Sequence, residues 1–176
     1  MRALIYSFFI MCIAGPSSAR DLTDFELMTL HVEIAGYETA MKRHDLAKIS
    51  ETVPPRIIHF VAQRAGVPDA QVRSVLTAEL QTIMATVTFL KFEMDEKNIA
   101  FRQTPTGVPY ALVPSMTLME IKGVKMEANS ETLAIIDGKD WYLLRVDDES
   151  QISALRQVYP DFADVTFPTG SVKEVE

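Results

Sequence analysis

The chain has 176 residues, 48% of them hydrophobic and 23% charged, with a net charge of −7 and a single cysteine. So high an apolar fraction excludes a disordered chain, and one cysteine excludes both an intrachain disulfide and a cysteine-based structural zinc site. The acidic balance argues against nucleic acid, because Arg56, Arg64 and Arg73 are scattered without an aromatic-interleaved patch and binding would have to overcome net repulsion.

Arg2, the apolar run Ala3 to Ala14, the break at Gly15-Pro16 and the small residues Ser17-Ser18-Ala19 read as a secretory signal cut after Ala19. A helix of that run spans about 18 Å, short of the roughly 30 Å hydrocarbon core. Cys12 lies inside the run and is a poor match for a lipidation site. The expectation is therefore a single exported domain, residues 20 to 176, periplasmic or secreted. It carries no cysteine and makes no stable membrane insertion after cleavage.

Helical spacing comes first. Thr23-x-x-Glu26 is a capping box, in which the threonine hydroxyl and the glutamate each satisfy an amide that the helix start leaves free. Leu27, Leu30, Ile34, Tyr37 and Met41 then step by three and four along one face. His44-Asp45 interrupts the period, and Asp45 caps a short stretch from Leu46 to Thr52. Pro54-Pro55 opens a further helix that Gly66 closes, and Pro68-Asp69 opens the next, with Val72, Val75, Leu76, Leu80 and Ile83 as its apolar positions.

From Thr86 the period becomes two. Strands are predicted over Thr86 to Met94 and Ile99 to Thr104, joined as a hairpin through Asp95-Glu96-Lys97-Asn98. Three more follow, Tyr110 to Lys122, Lys125 to Ile136 and Trp141 to Val146, turned at Gly123 and Asp137-Gly138. A helix near Gln151 to Tyr159 and an extended piece, Val165 to Pro168, complete the chain. The strand from Tyr110 is apolar on both faces, which predicts cover on both: one face by the domain's own helices, the other by a second subunit in a homodimer.

Three N-terminal helices, the first holding Tyr37 and ending at His44-Asp45, precede a long-stranded antiparallel sheet. With Pro109-Tyr110-Ala111-Leu112-Val113-Pro114 and Gly138-Lys139-Asp140-Trp141-Tyr142, this order resembles the nuclear transport factor two-like superfamily, which includes SnoaL-type cyclases and ketosteroid isomerases. The resemblance implies an α+β cone: the helices pack on a strongly curved antiparallel sheet around a pocket, with a short C-terminal helix after it. It hosts enzymes and non-enzymes alike, so the fold alone does not assign an activity.

His31, His44 and His59 make no metal-binding spacing, and no G-x-S-x-G, glycine-rich phosphate loop or processed-chain cysteine nucleophile is present. No motif calls for a cofactor. Cofactor-free proton transfer, as in an isomerase, cyclase or dehydratase, needs an inward carboxylate or histidine beside a hydroxyl. The resemblance puts Tyr37 near the donor position, yet the apolar faces of the two long strands carry no aspartate. The reading favoured is a non-catalytic domain whose pocket, lined by Tyr37, Met116, Met126 and Trp141, binds a small apolar ligand or fills with side chains.

Overall fold

A computed structural model describes residues 20–147 and 149–176. The signal-like segment lies outside the described residues. Helix α1 (Asp24–Arg43) begins as its sequence demands: the Thr23 hydroxyl accepts from the Glu26 amide, and Glu26 reaches back to the Thr23 amide. Arg20 closes on the same carboxylate at 2.7 Å, and its hydrogen bonds, with those from Thr23, hold the Glu26 carboxyl down at about 2. Thr23→Ala should destabilise the fold by about 1 kcal/mol in urea denaturation; no change would mean that Arg20 and Glu26 alone fix the start of the helix. His44 adopts a left-handed conformation at the C-terminus and donates its amide back to Met41.

Three further helices follow, α2 (Leu46–Glu51), α3 (Pro55–Ala65) and α4 (Asp69–Thr86). The short stretch after Asp45 is thus a helix in its own right, making four before the sheet rather than three. Strands β1 (Thr88–Met94), β2 (Ala100–Gln103), β3 (Pro109–Ile121), β4 (Val124–Asp137), β5 (Asp140–Arg145) and β6 (Ser171–Glu174) form one antiparallel sheet, curled into a half-barrel with the helices packed against it. Helix α5 (Glu149–Val158) and a 3-10 turn over Pro160–Phe162 separate β5 from β6.

The expected β1–β2 hairpin is corrected. Both strands pair with β3, β1 along its residues 115–120 and β2 along 109–112, so they run end to end on one edge. The Asp95 carboxylate accepts from the Lys97 amide and from Asn98, winding the intervening residues into a 3-10 turn that steps the chain along β3 instead of reversing it.

Register separates two apolar layers. One face of the sheet presents Ala111, Val113, Ala134, Trp141 and Leu143 to Leu30 and Ile34 of α1, with Phe92 and Met94 of β1 closing the cluster. The opposite face presents Tyr110, Leu112, Leu133 and Ile135 to Ile152, Leu155, Tyr159, Phe162 and Val165. The second face of β3, expected to need another subunit, is covered over this half by the chain's own C-terminal segment. Helix α4 has no buried residue: Val75 and Ile83 of its apolar set are 51% and 53% exposed.

Candidate functional site

At one level the sheet narrows to two strands. On the β3 edge, β2 pairs as far as Leu112 and β1 from Ser115 onward, leaving Val113 and Pro114 without a partner strand. On the β4 edge, β6 pairs as far as Asn129 and β5 from Thr132, leaving Ser130 and Glu131 likewise. Proline in a central strand would ordinarily cost a ladder hydrogen bond. Here the Pro114 carbonyl accepts from the Asp95 amide at 2.8 Å, so that side of Pro114 faces the gap between β1 and β2, where no strand asks for an N–H.

This waist opens a cleft of about 740 Å3 lined by Glu38 of α1, Glu93 and Met94 of β1, Asp95, Glu96 and Lys97 of the turn, Pro114–Met116, Asn129–Glu131 and residues 168, 169 and 171. Five carboxylates thus face one lysine. Most are spoken for: Glu38 pairs with Lys42 at 3.0 Å, Glu93 with Lys91 at 2.9 Å, and Glu96 with Nδ1 of His31 at 2.5 Å, which ties the turn to α1. The Asp95 carboxyl is held below its usual range, first by the Asn98 hydrogen bond.

Glu131 differs. Its Oε2 is enclosed with no hydrogen-bond partner, and burial pushes the carboxyl above its ordinary value against the opposing pull of Arg102. A buried carboxylate oxygen left unmatched is costly, and a cation brought to it would offset that cost. On the other face of the sheet, Ser115 Oγ lies 3.1 Å from both the carbonyl and the hydroxyl of Ser130, and Thr132 Oγ1 is 3.4 Å from Ser115 Oγ.

The four residues expected to line one pocket are not brought together. Tyr37 lies edge-on to Phe92 at 5.7 Å, its hydroxyl pKa raised by burial, and Trp141 is buried and donates Nε1–H to the Glu26 carbonyl at 2.8 Å. Both belong to the packing under α1, where Leu30, Ile34, Ala111, Val113 and Ala134 are fully buried and fill the space that a cone pocket would need. Met126 stands on the same face near the far end of β4, whereas Met116 pairs across with Asn129 on the opposite face. Of the four, Met116 alone lines the cleft.

Sequence reasoning missed the cleft because its walls come from five separated segments. Two local signals pointed to it: a proline inside an otherwise continuous strand, and Glu131 placed two residues before the apolar run from Leu133 to Ile136.

A second depression of about 460 Å3 lies over α3. There His59 sits between Asp69 at 3.2 Å and Gln63 at 3.0 Å, while Arg56 lies over the Tyr159 ring at 4.5 Å and donates to the Val158 carbonyl. Tyr159 donates its hydroxyl to Asp137 at 3.0 Å; desolvation, followed by that bond, raises its pKa. These contacts fasten α3 to α4, α5 and the β4–β5 turn. Among the described residues no three His, Cys, Asp or Glu side chains are grouped to hold a metal, and no helix is long and apolar enough to cross a membrane.

Comparison with family models, with curated proteins and with solved structures returns no match for this chain.

Proposed function

We propose that this is an exported, non-catalytic binding domain of the nuclear transport factor two-like kind, and that the cleft at the sheet waist receives a positively charged group. The family reading is supported by the order of elements, helices first and then a curled antiparallel sheet. Export is supported by the signal-like composition of residues 1 to 19.

The observation that carries the binding reading is the Glu131 Oε2 atom, enclosed without a partner in a cleft where carboxylates outnumber cations. Such a site selects charge before shape, because the other carboxylates already have partners and a cation is what would offset the enclosed Glu131 oxygen. An apolar ligand would leave that oxygen unmatched. The isomerase alternative is the weaker reading: Tyr37, its donor, is packed against Phe92 and is not among the residues lining the cleft.

The test is calorimetric titration of the cleaved domain with spermine at low ionic strength. Saturable binding that weakens steeply with salt is expected, together with no heat from a neutral polyether of similar length. Absence of spermine binding at millimolar concentration would overturn the reading.

A further inference from the structure

Helix α1 is apolar on two sides. Leu30, Ile34, Tyr37 and Met41 turn toward the sheet; at about 100° per residue, Phe25, Met28 and Val32 fall on the opposite side, where they are 64%, 56% and 66% exposed. One apolar stripe is what a helix packed on a sheet needs. A second, left open to water, calls for a partner.

Past Val32 the same side continues as Ala35, Gly36 and Thr39 and ends at Arg43. Gly36 is the telling position. Glycine weakens a helix interior, and a Cβ built on Gly36 would meet nothing within 4 Å, so packing inside the chain does not require it. What a glycine permits on an open helix face is the close approach of another body.

We infer that α1 pairs with α1 of a second copy of the chain, antiparallel, about a two-fold axis at the level of Ile34. The pairing uses a surface apart from the sheet and does not rest on the cation-binding reading of the waist cleft.

Size fixes the orientation. The stripe is large in its first half and small in its second, so antiparallel pairing lays Val32 of one copy on Gly36 of the other and Met28 beside Thr39. Parallel pairing would set bulk on bulk and leave a gap at the small end. In the antiparallel register Phe25 comes to the level of Arg43 of the other copy, where a guanidinium can pack on the ring.

Charge agrees with size. Asp24 stands in the first turn of α1 and Lys42 in the last, both exposed and on the same flank of the stripe. The two-fold brings Asp24 of each copy to the level of Lys42 of the other, once at each end of the pair, with the helix dipoles opposed. The stripe itself holds no carboxylate, so the net charge of −7 is carried away from the contact.

Area sets the strength. From Phe25 to Arg43 the helix runs about 27 Å, and a strip about 10 Å wide along it covers roughly 270 Å2 per copy. A standard stable complex buries about 800 Å2 per partner. The dimer is therefore weak, half-associated at roughly 100 μM.

Sedimentation velocity of the cleaved domain between 5 and 500 μM tests it, with thermal melts by circular dichroism to establish that each variant is folded. A dimer fraction that rises with concentration is expected. Gly36→Leu should abolish association while raising the melting temperature, because leucine is the better helix former and the space around the position is open. Val32→Asp should abolish association and leave the melt unchanged. Lys42→Glu should weaken association at least threefold, and adding Asp24→Lys should restore it, because unlike charges then meet again at both ends of the pair.

A wild type still monomeric at 500 μM, or a dimer that survives Gly36→Leu or Val32→Asp, would overturn the pairing. A charge exchange that restores nothing would overturn its antiparallel register.

Discussion

Phe162→Ala should destabilise the domain by about 3–5 kcal/mol, the cost of emptying a large aromatic from a packed core. The Phe162 ring is 2% exposed; it meets Tyr110 edge-on at 5.3 Å and stacks on Phe167 at 6.3 Å. It anchors the segment that seals the sheet face opposite α1, where Tyr110, Leu112, Leu133 and Ile135 would otherwise face water. Three residues before it, Tyr159 is tied by its hydroxyl to Asp137 at the end of β4, so loss of the Phe162 ring should also loosen that bond. Urea denaturation followed by circular dichroism measures the loss. A change below about 1 kcal/mol would mean that the C-terminal segment is an appendage and not part of the core.

That segment also marks how far the sequence could be read. Local rules hold where the deciding atoms are near in sequence. The capping box at Thr23 and Glu26 forms as its spacing requires, Gly66 and Gly138 take the positive φ that a helix end and a tight hairpin need, and the alternation in β3 and β4 places the inward residues correctly. The α+β class with helices on a curled sheet follows from these elements.

What escaped is partner choice. The alternation of β1 and β2 is equally satisfied by pairing with each other or with β3, and the winding at Asp95, a matter of two hydrogen bonds, decides between them. The second apolar face of β3 demanded cover, but nothing in β3 says whether it comes from another chain or from residues much farther along its own; Ile152, Leu155 and Phe162 supply it. β6 escaped for a different reason. Ser171–Glu174 is exposed throughout, so no apolar periodicity announces it, and backbone pairing with Met126 to Asn129 alone makes it a strand.

The candidate site was less legible than the fold. Tyr37 and Trp141 were drawn to a pocket because amphipathic aromatics line pockets and cores alike. Packing decides which: Leu30 and Ile34 are fully buried in one cluster with Ala111, Val113 and Ala134, and the small residues of the sheet let α1 come close. The cleft arises instead where strands end. An end of pairing is a property of four strands together and leaves only an oblique trace, Pro114, in any one of them.

Glu131→Gln should separate what the cleft does from what it costs. The Glu131 carboxyl is raised in the folded state chiefly by burial, so the folded chain holds its proton more tightly than the unfolded one. Below the unfolded value, near 4.5, both states are protonated and the residue costs nothing. As pH rises through the interval between that value and the raised folded one, the unfolded state loses its proton first and stability falls, then levels off once both are ionised. The glutamine side chain has no such titration. The variant should therefore match the wild type at pH 4 and exceed it by about 1 kcal/mol at pH 8, a magnitude moderated by the partial exposure of the site and by Arg102. In the same samples, spermine affinity at pH 8 should fall at least tenfold, because the enclosed Oε2 no longer carries charge. Denaturation at the two pH values and titration at one of them measure both effects. A variant less stable than the wild type at pH 8 would show that the attraction of Arg102 outweighs burial. Unchanged spermine affinity would remove Glu131 from the site. Gain of stability together with loss of binding is the signature of a charge kept buried for a ligand at a cost to the fold.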